Sequence, residues 1–334
     1  MSLLAENRIL AAPLAGISNS VYRRWARKFG AGMVFTEMAS AEGIRRNDSR
    51  TLDLLRFDEL ERPIFAQIFD DDHIAIRDAA KIIEELGFDG VDLNFGCPAK
   101  KVVNKGAGSA ILRDMPRALD IVEAALKVVN IPVSVKMRSG WNEGDETAIE
   151  MIENINSMGV AFVTLHPRSR EKFFKGKSDW SLIAKAVKTA EMPVVGNGDI
   201  ESGADAVEMI EKTGCSAVMI GRASMGNPWI FDEVSAAIEG REMPEPPSNF
   251  EIIEVCRKYI RELIEYHGER NGTNLAKKQI VWFTSGMPNC KRLRTEVFSA
   301  KRKEQIFSAI DGFSKDLVEI ENINIDETKA VKCR

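Results

Sequence analysis

The 334-residue chain is poor in the groups that hold metals. Its three histidines, His73, His166 and His267, are scattered, and no two stand at metal-ligand spacing. Its five cysteines, Cys97, Cys215, Cys256, Cys290 and Cys333, form no CxxC pair. That disfavours a zinc site, a cluster site or a disulfide framework and places the chain in a reducing compartment. The start, MSLLAENRILAAPLAG, is interrupted by Glu6, Asn7 and Arg8, so neither a signal peptide nor a membrane-spanning helix is expected, and the cytoplasm follows by default. The net charge of −4 lacks the excess that indiscriminate nucleic-acid binding needs, although an average can hide a local patch. The GxGxxG that opens an open dinucleotide-binding sheet is also missing after the first apolar run.

With 44% hydrophobic and 29% charged residues, the composition is that of a soluble globular protein. The length suits a barrel of about 250 residues plus an appended module. One unit recurs eight times: a short apolar run, polar residues, then an amphipathic helix. The runs are 9–14, 33–36, 64–68, 90–94, 133–137, 161–166, 194–197 and 217–220. The helical stretches include 18–29, 73–86, 115–129, 145–158, 180–190 and 202–212. Continuous apolar strands alternating with helices imply a parallel sheet covered on both faces, and eight such units imply an α/β fold of the (β/α)8 TIM-barrel type. An open doubly wound sheet is the alternative, since strand count alone does not prove closure.

In such a barrel the residues after each strand converge on one rim. Here they are Pro13, Leu14, Ala15 and Gly16, then Glu37, Gln67, Asn94 with Cys97, Lys136 with Arg138, His166 with Arg168, Asn197, Gly198 and Asp199, and Gly221 with Arg222. The set is polar, basic and glycine-bearing, beyond what packing alone requires. Cys97 leaves a strand and enters a loop with Lys100, Lys101, Lys105, Gly106 and Gly108, and a cysteine beside positive charge serves as an acid or a nucleophile. Gly198 and Gly221–Arg222 stand where barrels hold a phosphate. A phosphorylated cofactor fits there, and if it is a flavin, Lys136 can neutralise its electron-rich ring while Gln67 bonds its edge.

After Trp229 the pattern changes. Residues 241–250 carry Pro244, Pro246 and Pro247 and read as a linker between a barrel domain, 1–240, and four further helices forming a small bundle, 251–321. The tail from 322 to 334 lacks apolar periodicity and reads as flexible. Between Arg270 and Lys303 nine basic residues face a single acid, Glu296, and this local excess points to a polyanionic partner.

The motifs APLAGISN, LNFGCPAKKVVNKGAGSAIL, VKMRSGW, LHPRSR, NGDI and MIGRASMGNPWIF, in this order, resemble those of the tRNA-dihydrouridine synthases, closest to their bacterial B-type branch. The resemblance covers roughly residues 7–320 and implies an FMN barrel with a helical tRNA-binding domain. It sets FMN against Pro13, Leu14, Ala15, Gln67, Lys136 and His166, with its phosphate end at Asn197, Gly198, Asp199, Gly221 and Arg222. It makes Cys97 the proton donor and has Asn94 face the target uracil. Lys100, Lys105 and Arg168 join Asn94 as substrate contacts. The implied reaction adds a hydride from reduced FMN to C6 of a uridine and a proton from Cys97 to C5, with a thiol pKa not far from neutral, and NADPH re-reduces the flavin. A monomer without metal is expected. Leu14 stands where the family usually has Met, and Pro167 where it usually has Gly. Two other functions fit parts of the pattern: a flavoenzyme of the dihydroorotate or dihydropyrimidine dehydrogenase kind, and a non-catalytic RNA-binding protein.

Overall fold

The apolar runs become the strands of one parallel sheet. The computed structural model describes Leu4 and residues 8–332, with side chains as far as Leu317. Its strands are β1 (Ile9–Ala11), β2 (Val34–Phe35), β3 (Ala39–Ser40), β4 (Ile64–Phe69), β5 (Gly90–Phe95), β6 (Val133–Arg138), β7 (Phe162–His166), β8 (Val194–Asn197) and β9 (Ala217–Ile220). Pairing runs β1-β9-β8-β7-β6-β5-β4-β2, and β3 adds to β4. The two ends of that path meet through a parallel bridge between Leu10 and Met33, where the Ala11 N–H donates to the Met33 carbonyl at 2.9 Å. Closure decides between the two architectures: the chain forms a (β/α)8 barrel, not an open sheet.

Successive strand residues point to opposite faces, and both faces here are buried. Outward residues such as Ile64, Ala66, Val91, Leu93, Val133, Val135, Val163 and Val218 pack under the surrounding helices. Inward residues at the amino ends of the strands, among them Leu10, Met33, Phe65, Phe162 and Val195, form a separate apolar plug. Above it the inward positions turn polar.

Helix boundaries follow the caps. The first helix starts at Ser20 because Asn19 Oδ1 accepts the Tyr22 N–H at 3.2 Å. The helix expected from Asp145 runs only over Thr147–Ile155, since the Asp145 carboxylate is spent on the N–H groups of Trp141 and Asn142. That first helix is tied to the turn Glu59–Glu61 by a fully buried ion pair: Arg23 Nε meets the Glu61 carboxylate at 2.5 Å. The remaining Arg23 donors reach the carbonyls of Ser18 and Arg56, both at 2.7 Å, and Glu61 also accepts the Asp58 N–H at 3.0 Å.

The chain divides into two compact units, Met1–Ala223 with Ile230–Met243, and Ser224–Trp229 with Pro244–Arg334. The second unit consists of helices Asn249–His267, Glu269–Phe283, Cys290–Ser299 and Lys303–Lys332. Ile253, Tyr259, Ile260, Leu263, Ile280, Phe283, Leu293 and Ile306 are buried in it. A Cβ at Gly272 would lie 2.4 Å from Ile264 Cα, so glycine lets the first two of these helices touch through their backbones. The stretch expected to be an aperiodic tail from Asn322 has helical backbone as far as Lys332. Cys333 and Arg334 lie outside the described residues. Among the described residues no helix is long and apolar enough to cross a membrane.

Glu61→Ala should leave the buried Arg23 guanidinium without its charge partner and cost about 3–5 kcal/mol, read as a lowered urea midpoint. A loss within experimental error would show that the pair does not anchor the first helix.

Candidate functional site

A cavity of about 240 Å³ opens among the carboxyl ends of the strands. Pro13, Leu14, Ala15, Gln67, Asn94, Cys97, Lys136, His166, Asn197, Gly198, Asp199, Gly221 and Arg222 all line it. Residues spread over more than two hundred positions are therefore neighbours, because each ends or follows a strand of the same closed sheet.

Cys97 is held from both sides of its peptide. Asn94 Oδ1 accepts the N–H of Gly96 at 3.1 Å and of Cys97 at 2.9 Å. The Cys97 carbonyl accepts from the Ser109 N–H at 3.1 Å and its Oγ at 3.0 Å. Gly108, at φ +61°, lies so close that a Cβ would sit 2.8 Å from that carbonyl. Arg138 Nε donates to the Gly96 carbonyl at 2.9 Å, and its Nη1 reaches the carbonyls of Ser169 and Phe173. The loop is thus folded back on the cysteine.

The charges are not those of an activated thiolate. Burial raises the Cys97 thiol above its ordinary value, and the Ala99 backbone and Arg138 only partly oppose it. This corrects the expectation of a thiol near neutrality: Lys100, Lys101 and Lys105 are exposed and none lines the cavity. Lys136 donates to Asn197 Oδ1 at 3.0 Å, and burial pulls its pKa down to about 8 against the opposing pull of Asp92. Burial first, then the nearby cations Lys136, Arg138 and Arg168, lowers His166 well below its usual range, so the ring is neutral. Its Nδ1 lies 3.2 Å from the Asn197 carbonyl, which can only accept, so Nδ1 carries the hydrogen and Nε2 is a buried acceptor with no hydrogen-bond partner.

Below the cavity floor, burial raises the Asp92 carboxyl to about 6, while Gln67, Ser134 and Lys136 pull it down. Gln67 is fixed by its neighbours: Nε2 donates one hydrogen to Asp92 Oδ2 and Oε1 accepts from Asn94 Nδ2, each at 2.7 Å, which leaves a second N–H and a second lone pair on the amide. Gly198, at φ +126°, needs glycine twice over, since a Cβ would lie 2.4 Å from Ser178 Oγ and 2.9 Å from His166 Nδ1.

Three expected substrate contacts do not line the cavity. Lys100 and Lys105 lie outside it on an exposed segment. Arg168 is 2% exposed and turned inward, with Nη2 on the Asp199 carboxylate at 2.6 and 2.8 Å. Burial raises the Asp199 carboxyl, but Arg168 and the Ser178 N–H outweigh it and hold the group below the ordinary range. Arg168 is thus tied to Asp199 and does not line the cavity. Conversely, Met38, Arg138, Phe174 and Glu201 line the cavity without having been assigned a role from sequence. Arg138 was legible, two residues beyond Lys136 on the same strand face. Phe174 was not, since it comes from an aperiodic loop; its half-exposed ring lies 5.3 Å from the Arg138 guanidinium and 5.4 Å from that of Arg222.

A closed parallel barrel with a cation-bearing polar cavity at the strands' carboxyl ends defines a (β/α)8-barrel enzyme. The model of the family "Dihydrouridine synthase (Dus)" matches residues 9–317. The chain belongs to that family. It is 35% identical over 295 residues to a probable tRNA-dihydrouridine synthase of Rickettsia bellii, covering 87% of this chain and 90% of the relative. It is 34% identical over 291 residues to tRNA-dihydrouridine synthase B of Pseudomonas aeruginosa, covering 87% of each. Among solved structures, a 2-naphthoyl-CoA reductase complex superposes with a TM-score of 0.54 at 13% identity, covering 70% of this chain and 50% of that one. A histamine dehydrogenase from Rhizobium sp. 4-9 gives 0.53 at 14%, covering 70% and 46%. These structural likenesses concern the fold alone.

Iodoacetamide should modify Cys97 slowly at neutral pH, with a rate that climbs through pH 9 and above, because the nucleophilic thiolate forms only above the raised pKa. A rate already level by pH 7, measured by peptide mass spectrometry, would contradict this electrostatic picture.

Proposed function

We propose that this protein reduces uridines of tRNA to 5,6-dihydrouridine with FMN as cofactor and NADPH as reductant, acting as a cytoplasmic monomer. The observation that carries this reading is a backbone-anchored thiol, Cys97, in the same cavity as Lys136, His166, Gln67 and the open glycine rim, where burial raises its pKa. The cavity suits the cofactor. His166 Nε2 is buried with no hydrogen-bond partner, and a Cβ at Gly221 would meet nothing closer than Ala12 Cβ at 3.8 Å, so the missing side chain leaves space instead of packing. Pro13, Leu14, Ala15, Gln67, Lys136 and His166 would hold the ring system, and Asn197, Gly198, Asp199, Gly221 and Arg222 the phosphate end. When bound, FMN supplies the hydride that reduces the uracil double bond at C6.

The chain's own groups do the rest. Lys136 supplies a positive charge at the floor of the cavity, where electron density accumulates. Cys97 holds its proton at neutral pH and gives it to C5, and the Arg138 guanidinium beside it stabilises the thiolate left behind. A base normally stacked in folded RNA has to turn out to reach this cavity. Phe173 and Phe174, 42% and 49% exposed near its mouth, offer aromatic faces, and Lys100 and Lys105 suit contacts to the phosphate backbone.

The second unit carries the local basic excess. Of those residues, Lys291, Arg302 and Lys303 are exposed, as is Phe298 between them, whereas Arg292 is paired with Glu296 and Asp316. Such a surface supplies affinity for a polyanion without reading its sequence.

In FMN-loaded enzyme, Cys97→Ala should lower dihydrouridine formation in unmodified tRNA by about 10²–10⁴-fold while the flavin's visible absorption persists; undiminished product would remove Cys97 from the acid role. Reversing charge at Lys291, Arg302 and Lys303 to glutamate should weaken tRNA binding and flatten its log–log salt dependence by roughly 0.7–0.9 per lost phosphate contact. Unaltered affinity and slope would sink the RNA-holding role of these helices.

A further inference from the structure

The peptide that carries Cys97 is held by a line of side chains whose donor and acceptor ends admit one order. The N–H groups of Gly96 and Cys97 are donors by their chemistry, so the Asn94 atom that meets them has to be the amide oxygen. Asn94 Nδ2 then faces Gln67 at 2.7 Å, and the atom receiving it has to be Oε1. That turns Gln67 Nε2 the other way, onto Asp92 Oδ2 at 2.7 Å. Only an acceptor serves at this end. Asp92 has a second demand on it, because Oδ1 accepts from Ser134 Oγ at 2.6 Å. The line is dry: Asp92 and Ser134 are 0% exposed, Gln67 1% and Asn94 8%.

The sheet register builds this line. Gln67 and Ser134 are the cross-strand partners of Asp92 on β4 and β6, and Asn94 lies two residues further along β5 on the same inward face. A charge in such a layer costs stability, and an apolar residue would pack there without that cost. What an apolar residue lacks is the ability to accept from two neighbours at once.

We infer that Asp92 is a positioning residue for the reaction: its carboxylate sets the direction of the Gln67 and Asn94 amides and thereby holds the backbone that aims Cys97 into the cavity. The catalytic meaning of the inference rests on Cys97 being the acid. Alkylation reports how the thiol is held whether or not it has that role.

Polarity can be reversed without removing a group. Asn94→Asp still accepts the two loop N–H groups but turns a second acceptor toward Gln67 Oε1. Combined with Asp92→Asn, every partner is restored in the opposite sense: the new amide at 92 donates to Gln67 Oε1, and Gln67 Nε2 donates to the new carboxylate at 94. The experiment compares wild type, D92N, N94D and D92N/N94D, each FMN-loaded, for kcat and KM on unmodified tRNA and for the rate of Cys97 alkylation at one pH. D92N should stay within about threefold of wild type, because its oxygen still accepts from Gln67 while the Ser134 hydroxyl turns round to accept. N94D should slow kcat and alkylation about tenfold or more with little change in KM, and the double variant should recover most of both losses. N94D and the double variant carry the same carboxylate beside Cys97, so its through-space effect on the thiol cancels between them.

A double variant no faster than N94D in alkylation overturns the inference. Should N94D not yield folded protein, Asp92→Ala is the second probe: wild-type kcat and alkylation would overturn the inference, and a fall in both at unchanged KM would support it. Product formation surviving in Cys97→Ala would sink the acid role while leaving the four-protein alkylation comparison intact.

Discussion

Every inward position of a closed parallel barrel lies either in its floor or in its mouth, and a strand passes from one to the other in a step of two residues. Here that step changes chemistry abruptly. Phe65 gives way to Gln67, Phe162 to Thr164 and His166, and Val195 to Asn197. The apolar plug below excludes water, so the polar layer above has to satisfy its groups laterally or through whatever occupies the cavity. Lateral pairing is why Gln67, Asp92, Asn94 and Ser134 are bonded to one another. His166 Nε2, buried at the cavity, is left without such a lateral partner.

The same dryness sets the electrostatics. Cations converge on the cavity from Lys136, Arg138 and Arg222, with Arg168 behind them, yet the cysteine among them is not a thiolate, since burial outweighs what the cations return. An acid that keeps its proton until a base needs it is the better tool for protonating carbon. The neutral His166 and the lowered Lys136 pKa follow from the same cause. Neighbouring positive charges are tolerated because each is tied to carbonyls or carboxylates: Arg138 to Gly96, Ser169 and Phe173, and Arg168 to Asp199 and Gly176.

Much of the fold was legible because strands and helices announce themselves through local periodicity. Seven of the eight apolar runs hold strands within two residues of their expected ends; the run from Ile9 yields a strand only to Ala11, because Pro13 has no N–H for a ladder and Leu14 turns back to Ser18. Most of the rim was legible for the same reason, being the residue after each run. The misreadings arose where burial or polarity decided. Arg168 was read as a rim residue contacting substrate, and its burial against Asp199 across the loop was not visible along the chain. The lysines after Cys97 are near it in sequence but exposed, and none lines the cavity. Phe174 and the helical run to Lys332 carried no periodic signal.

Sequence by itself determined the alternation of strands and helices, the polar rim and the kinship to dihydrouridine synthases, since these depend on residues close along the chain or on motifs in fixed order. Tertiary structure alone decided that the sheet closes, that the Cys97 thiol is raised instead of lowered, and that Asp92 meets Gln67 and through it Asn94 across 25 and 27 residues of chain. The physical reason is common to all three. Closure, desolvation and the direction of a hydrogen bond depend on which strand lies beside which, and in this chain that is settled by the register of the barrel and not by local sequence.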